Sequence, residues 1–141
     1  MPFVHLSGNG DFDHVRLLGV AVRAIAETAL APSDAAQLEI AVVEACNNIV
    51  EHAYANTKGI ITVDIFLTDQ KFVVNLRDTG KAMVDAHQIK DSTALDFDID
   101  NLDDLPEGGF GMFLMDTIVD ERKYFSENGI NTLTLTKYIQ P

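Results

Sequence analysis

The sequence is poor in cysteine and in long apolar runs. Cys46 is the only cysteine among 141 residues, which excludes an internal disulfide framework and any metal site built from cysteines alone. No stretch approaches the roughly 20 consecutive apolar residues of a membrane span, and the N-terminus lacks the basic start and apolar run of a signal peptide. We therefore expect a cytoplasmic protein that does not bind a membrane, with Cys46 as a small packing residue.

Positive charge is also scarce. Ten Lys and Arg stand against 22 Asp and Glu, a formal net charge of −12, which would repel a nucleic acid backbone. Nucleic acid is therefore not expected as a partner, and any nucleotide site must depend on local hydrogen-bond donors and a divalent metal. The chain is long enough for one sizeable core and no more, so a single domain over residues 1–141 is predicted.

The periodicity of apolar residues predicts an α+β fold. Helical spacing runs from about residue 13 to 30, and again from an N-cap at Ser33 to about Tyr54. Alternating β-branched runs then predict two antiparallel hairpins, one after Gly59 and one in the last 21 residues, with a short first strand at the N-terminus. The order of elements indicates a two-layer sandwich, with helices on one face of a mixed or antiparallel sheet.

The second predicted helix carries a polar stripe of Glu44, Asn47, Asn48, Glu51 and His52. One interpretation is a solvated face. The other is chemical, because a carboxamide oxygen can bind Mg²⁺ together with phosphate oxygens, and a carboxylate one turn away can orient or deprotonate a nucleophile. Glu44 and Asn48, four residues apart, meet that requirement.

Two glycine motifs follow the helix. Asp78 ends a predicted strand just before Thr79 and Gly80, where it forms either an Asx turn or an acceptor for the amino group of a base. Gly108, Gly109 and Gly111 precede a helical apolar run, which is either a flexible linker or a set of free backbone N–H groups that bind phosphate.

The order of these motifs carries a resemblance. EACNNIVEHAY, LRDTGKAMVD, GGFGMFLM, VDERKY and NTLTLTK follow one another between about Ser33 and Lys137. Together they resemble the GHKL ATPases of the Bergerat, histidine kinase-like fold, and within them the anti-sigma factor serine/threonine kinases of bacterial partner-switching systems.

The resemblance implies ATP and Mg²⁺ as cofactors and assigns a role to each matching residue. On the second helix it implies Glu44 as general base, Asn48 as magnesium ligand and His52 as a polar group near the phosphates. The remaining implied residues contact the nucleotide: Asp78 reads adenine, Gly80 lets the base approach, Gly109 and Gly111 form the phosphate loop, and Thr132 holds adenine through water.

The resemblance also implies partners. These are a STAS-type anti-anti-sigma factor phosphorylated on serine or threonine, a competing sigma factor, and a second copy of the chain, with the mostly apolar first helix and its Arg16 and Arg23 as a contact surface. Two alternatives remain open. One is a nucleotide-controlled binding module with weak or no kinase activity, because the acidic segment before Gly108 supplies no Arg or Lys for the γ-phosphate. The other is a detached catalytic domain of a histidine kinase.

The acidic segment itself has two interpretations. Asp96, Asp98, Asp100, Asp104 and Glu107 follow the spacing of a calcium loop, but Asn101 replaces its turn glycine. An acidic lid over ATP is the favoured interpretation. Lys58, Lys81 and His52 are the cationic groups left to serve the phosphates.

Overall fold

The computed structural model describes residues 3–83 and 109–140. The predicted acidic lid, its calcium-loop alternative and Gly108 lie outside these ranges. In chain order the elements are β1 (Phe3–Asn9), α1 (Phe12–Ala26), α2 (Pro32–Asn48), a π-helical turn (Ile49–Ala53), β2 (Ile60–Leu67), β3 (Lys71–Asp78), α3 (Gly109–Ile118), β4 (Glu121–Glu127) and β5 (Ile130–Tyr138). None of the described helices is long and apolar enough to cross a membrane.

The sheet has five strands in the order β1-β2-β3-β5-β4, and every neighbouring pair is antiparallel. Both predicted hairpins are present as β2-β3 and β4-β5. The two hairpins meet where β3 pairs with β5, and this pairing places Asp78 opposite Asn131. The predicted α+β class, with helices on one face of the sheet, is confirmed, and of the two predicted sheet types the described strands form the antiparallel one.

The core lies between the sheet and the helices. Successive side chains of a strand point to opposite faces, so Ile61, Val63 and Ile65 of β2 are buried against the helical layer. The other face of the sheet has no helix in the described part of the chain. It exposes large apolar side chains, namely Phe3, Ile60, Phe125, Ile130 and Tyr138.

The helix starts follow local capping rules. α1 begins after Asp11, whose carboxylate accepts a hydrogen bond from the His14 backbone N–H at 2.9 Å. The predicted N-cap at Ser33 is wrong: the N-cap is Ala31, two residues earlier, which has no capping side chain, and α2 begins at Pro32. The reason is that the fixed φ of proline suits the first helical position, where its missing N–H is not needed.

The second predicted helix changes its hydrogen bonding near its end. It is α-helical only to Asn48, and the next five residues form a π-helical turn. The Tyr54 N–H donates to Ile49 O at 2.9 Å, and the Asn56 N–H reaches Val50 O at 2.9 Å. Such wide turns are rare and occur often at functional sites. A pattern of about 100° per residue therefore does not hold beyond Asn48.

Candidate functional site

The end of the second helix is attached to the end of β3. The backbone N–H of Lys81 donates to Ala53 O at 2.7 Å. Tyr54 adds two further bonds, because its hydroxyl donates to Ile60 O at 2.5 Å and accepts from the Thr79 N–H at 3.0 Å. The end of the helical segment that carries Glu44 and Asn48 is thus held against the strand end that carries Asp78 and Gly80, which the sequence predicted from separate motifs.

Only glycine fits at position 80, because the backbone of Ala53 lies too close for a side chain. A Cβ atom at this position would lie 2.4 Å from Ala53 O and 2.6 Å from Ala53 C, which are backbone atoms that cannot turn away. Glycine therefore allows the strand end to approach the helix, and it leaves this side of Asp78 without a side chain.

Asp78 is a buried carboxylate whose orientation is fixed. It is 4% exposed, and its Oδ1 accepts from the Gly80 N–H at 2.9 Å and from Asn131 Nδ2 at 2.8 Å. Burial raises the pKa of Asp78, and the two hydrogen bonds act in the opposite direction because they favour the charged form. Its Oδ2 accepts no hydrogen bond from the described residues, so it can receive one from a ligand.

The structure corrects the choice of Thr132. Thr132 pairs with Arg77 of β3, whereas Asn131 pairs with Asp78. Since side chains alternate along a strand, Thr132 lies on the opposite face of the sheet from Asp78. The side chain next to Asp78 is that of Asn131, and the sequence analysis missed it. The direct signal would have been the pairing register of β3 with β5, which a single sequence does not give.

The predicted helix residues differ in exposure. Asn48 is 6% exposed, Glu44, one turn before it, is half-buried, and His52 is exposed. His52 Nε2 lies 3.8 Å from a carboxylate oxygen of Glu51, so these two side chains form the solvated part of the stripe.

Cys46, between Glu44 and Asn48, is fully buried as predicted. Burial, and secondarily the negative charge of Asp78, raises the pKa of its thiol to about 12. The thiol is therefore neutral at physiological pH and serves packing. The Asp78 carboxylate is thus close enough to this stretch of α2 for its charge to act on the thiol.

Asn48 has the chemistry of a magnesium ligand. Its carboxamide forms no hydrogen bond within the described part of the chain, so the carboxamide oxygen remains available to an ion. Residues 3–83 and 109–140 hold no cluster of three His, Cys, Asp or Glu side chains that could bind a metal alone. The donor set therefore fits an ion that takes one protein oxygen and the rest from phosphate and water.

The glycines of the predicted phosphate loop lie at a helix start. α3 begins at Gly109, so Gly109 and Gly111 are in its first turn rather than before it. α3 packs against α2, and Met115 fills the contact as a fully buried side chain. Free N–H groups at a helix N-terminus suit an anion.

A cleft of about 710 Å³ lies elsewhere, between the β1–α1 turn and residues 56–60. Asn9, Asp11 and Lys58 are among its lining residues, and none of the predicted site residues lines it. The hydrogen-bonded cluster at Asp78 locates the site better than this open cleft does, because only the cluster combines buried polar groups with fixed geometry.

Comparisons with known proteins identify the family. Residues 9–137 match the family model described as the histidine kinase-like ATPase domain, and the chain belongs to that family. It is 31% identical over 130 residues to the serine-protein kinase RsbW of Bacillus cereus strain B4264, covering 91% of this chain and 79% of that protein. It is likewise 31% identical over 142 residues to the RsbW of Staphylococcus aureus strain JH9, covering 98% and 87%. The chain thus falls in the anti-sigma serine kinase branch of the family and is an ATP-dependent protein kinase.

A solved structure of similar fold contains the RsbU and RsbW domains of a Mycobacterium tuberculosis protein. It matches with a TM-score of 0.66 at 24% identity, covering all of this chain and 34% of that one. This chain therefore spans about a third of the length of that protein, and the likeness supports the fold.

Proposed function

We propose that this protein transfers the γ-phosphate of ATP, with Mg²⁺, to a serine or threonine hydroxyl of a STAS-type anti-anti-sigma factor. The observation that carries the proposal is the buried Asp78–Gly80–Asn131 cluster, which backbone hydrogen bonds attach to the end of the helix bearing Glu44 and Asn48. A base reader and a phosphate-facing helix in one site are what a nucleotide-dependent kinase needs.

The adenine end uses the free oxygen of Asp78. An ionised carboxylate only accepts hydrogen bonds, so Oδ2 suits the 6-amino group of adenine. The absence of a side chain at Gly80 leaves room for the base to approach the backbone. These two features support recognition of adenine nucleotides.

The phosphate end uses the second helix and α3. Asn48 would hold Mg²⁺, which supplies charge neutralisation and alignment of the phosphates when bound. The N–H groups around Gly109 and Gly111 would bind phosphate oxygens, with His52 at the rim. Glu44 would accept the proton of the substrate hydroxyl as its oxygen bonds to the γ-phosphorus, while the bond from that phosphorus to the β–γ bridging oxygen breaks and ADP leaves.

The relatives named above are serine-protein kinases, which supports a protein substrate. A sigma factor would be the second, competing partner, and the working unit would be a cytoplasmic homodimer formed from single-domain chains. A net charge of −12 gives no support to nucleic acid as a partner.

Two measurements test the proposal. Calorimetric titration of ADP with magnesium is expected to show binding, and absence of binding would contradict the nucleotide site. Incubation with labelled ATP and candidate STAS-domain proteins is expected to give an acid-stable phosphoprotein, as phosphoserine and phosphothreonine are. Acid-labile label would indicate histidine instead, and nucleotide binding without transfer to any candidate would indicate a binding module.

A further inference from the structure

Asn131 has every polar atom of its side chain engaged. It is 1% exposed, its Nδ2 donates to Asp78 Oδ1 at 2.8 Å and to Gly80 O at 2.9 Å, and its Oδ1 accepts from Ser126 Oγ at 2.6 Å. The reverse orientation of the amide would place its oxygen against a carboxylate and a carbonyl, so the network determines which way it points.

This network decides which oxygen of Asp78 a ligand can use. Oδ1 already accepts from the Gly80 N–H and from Asn131, which leaves Oδ2 for the base. Both bonds favour the ionised carboxylate, which accepts from a 6-amino purine and repels the 6-oxo group of hypoxanthine or guanine. A carboxyl group free to rotate or to take up a proton would donate to that oxo group and lose the distinction.

We infer that Asn131 is a positioning residue that sets the preference of the site for 6-amino over 6-oxo purine nucleotides. The inference rests on the proposed role of Asp78 and adds to it the origin of base selectivity. Asn131 acts through Asp78, and the bond to Gly80 O fixes the turn over which the base would lie.

Two titratable groups lie near the carboxylate of Asp78. The charge of Asp78 contributes to raising the pKa of Cys46 on α2 and of Tyr124 on β4. The pKa of each is raised, Cys46 by burial to about 12 and Tyr124 chiefly by burial, so both are neutral at pH 7. Burial raises the pKa of Asp78, and the hydrogen bonds from Asn131 and Gly80 act against it by favouring the charged form.

The experiment compares the affinities of ADP and inosine diphosphate, with magnesium at pH 7, by calorimetry. Asn131→Leu keeps the approximate volume and removes both donors. In wild type the dissociation constant of inosine diphosphate should exceed that of ADP. In the variant this ratio, inosine diphosphate over ADP, is expected to fall on the order of tenfold, as expected for a lost hydrogen bond to a charged group. A uniform weakening of both nucleotides, or an unchanged ratio in a variant that still binds ADP, would overturn the inference.

Asn75→Leu is the matched control. Asn75 lies on β3, and its carboxamide accepts from Thr134 of β5 at 2.7 Å, but on the face of the sheet away from Asp78. The Asn75→Leu variant should leave the ratio unchanged. A change as large as that of Asn131→Leu would count against the role of Asn131. If Asn131→Leu fails to fold, Ser126→Ala is the second variant, because it removes the hydroxyl that donates to Asn131 Oδ1 and changes an exposed position. It should move the ratio in the same direction. An unchanged ratio would again oppose the inference. Failure of wild type to bind ADP would instead refute the proposed function.

Discussion

At the scale of single residues, Glu44 is the proposed base. Glu44→Ala is expected to reduce phosphoryl transfer on the order of 100-fold or more, while leaving ADP affinity nearly unchanged, because its carboxylate would act on the substrate hydroxyl and not on the base. Transfer is measured with labelled ATP and the partner protein, and ADP affinity by calorimetry.

Glu51→Ala is the control for this change. Glu51 is an exposed carboxylate about two turns further along, in the π-helical turn, and its removal should preserve transfer. Equal rates for Glu44→Ala and wild type would remove Glu44 from the mechanism.

The buried carboxylate of Asp78 is expected to lower the free energy of unfolding at neutral pH. Burial raises its pKa above 3.8, so between that value and the raised one the folded state binds more protons than the unfolded state. The free energy of unfolding therefore falls as pH rises through this window, and the destabilisation is complete above it. Asp78→Asn has no charge to desolvate and can still accept from Asn131 and Gly80.

The expected result for Asp78→Asn is a higher melting temperature than wild type at pH 7, a smaller difference near pH 4, and loss of adenine nucleotide binding. Thermal unfolding followed by circular dichroism at both pH values checks the first two, and calorimetry the third. A variant less stable than wild type at pH 7 would show that the carboxylate stabilises the fold.

At the scale of elements, the contact between the π-helical turn and the end of β3 assembles the site. Gly80→Ala would place a methyl group 2.4 Å from Ala53 O, so the two elements must separate. We expect a loss of about 1–3 kcal/mol in the free energy of unfolding, with weaker ADP binding, measured by urea denaturation and calorimetry.

Gly8→Ala provides the comparison, since a Cβ there meets nothing closer than 3.5 Å. It should retain wild-type ADP affinity. If Gly80→Ala bound ADP as tightly as wild type does, the close approach of strand and helix would not matter to the site.

At the scale of the whole molecule, two surfaces could form the proposed homodimer. The outward side of α1 exposes Leu17 and Val20, at 60% and 52%, beside Arg16, while Arg23 is already paired with Glu27 and Glu39 of its own chain. The uncovered face of the sheet exposes Phe3 at 55%. Large exposed apolar patches often mark interaction sites.

We predict that wild type is a dimer by light scattering and that Leu17→Glu is a monomer, because a charge in an apolar contact remains unpaired. Phe3→Glu is the control and should remain dimeric. A dimeric Leu17→Glu together with a monomeric Phe3→Glu would place the dimer contact on the sheet face. A monomeric wild type would contradict the dimer.

The sequence by itself determined the elements and the class. Alternation in β2 and β3, helical spacing in α1 and α2, and the order of the motifs sufficed, because local periodicity reports which face of an element is buried. Glu44, Asn48, Asp78 and Gly80 were chosen as candidate site residues in this way, and their roles stay predictions.

Only the tertiary structure decided which side chains meet. The register between β3 and β5 set Asn131, and not Thr132, beside Asp78, and a shift of one residue reverses the face of every side chain in a strand. The structure likewise joins the π-helical turn to the end of β3, through the Lys81 N–H and Ala53 O. Both features come from contacts between residues distant in sequence, which a pattern along one chain does not record.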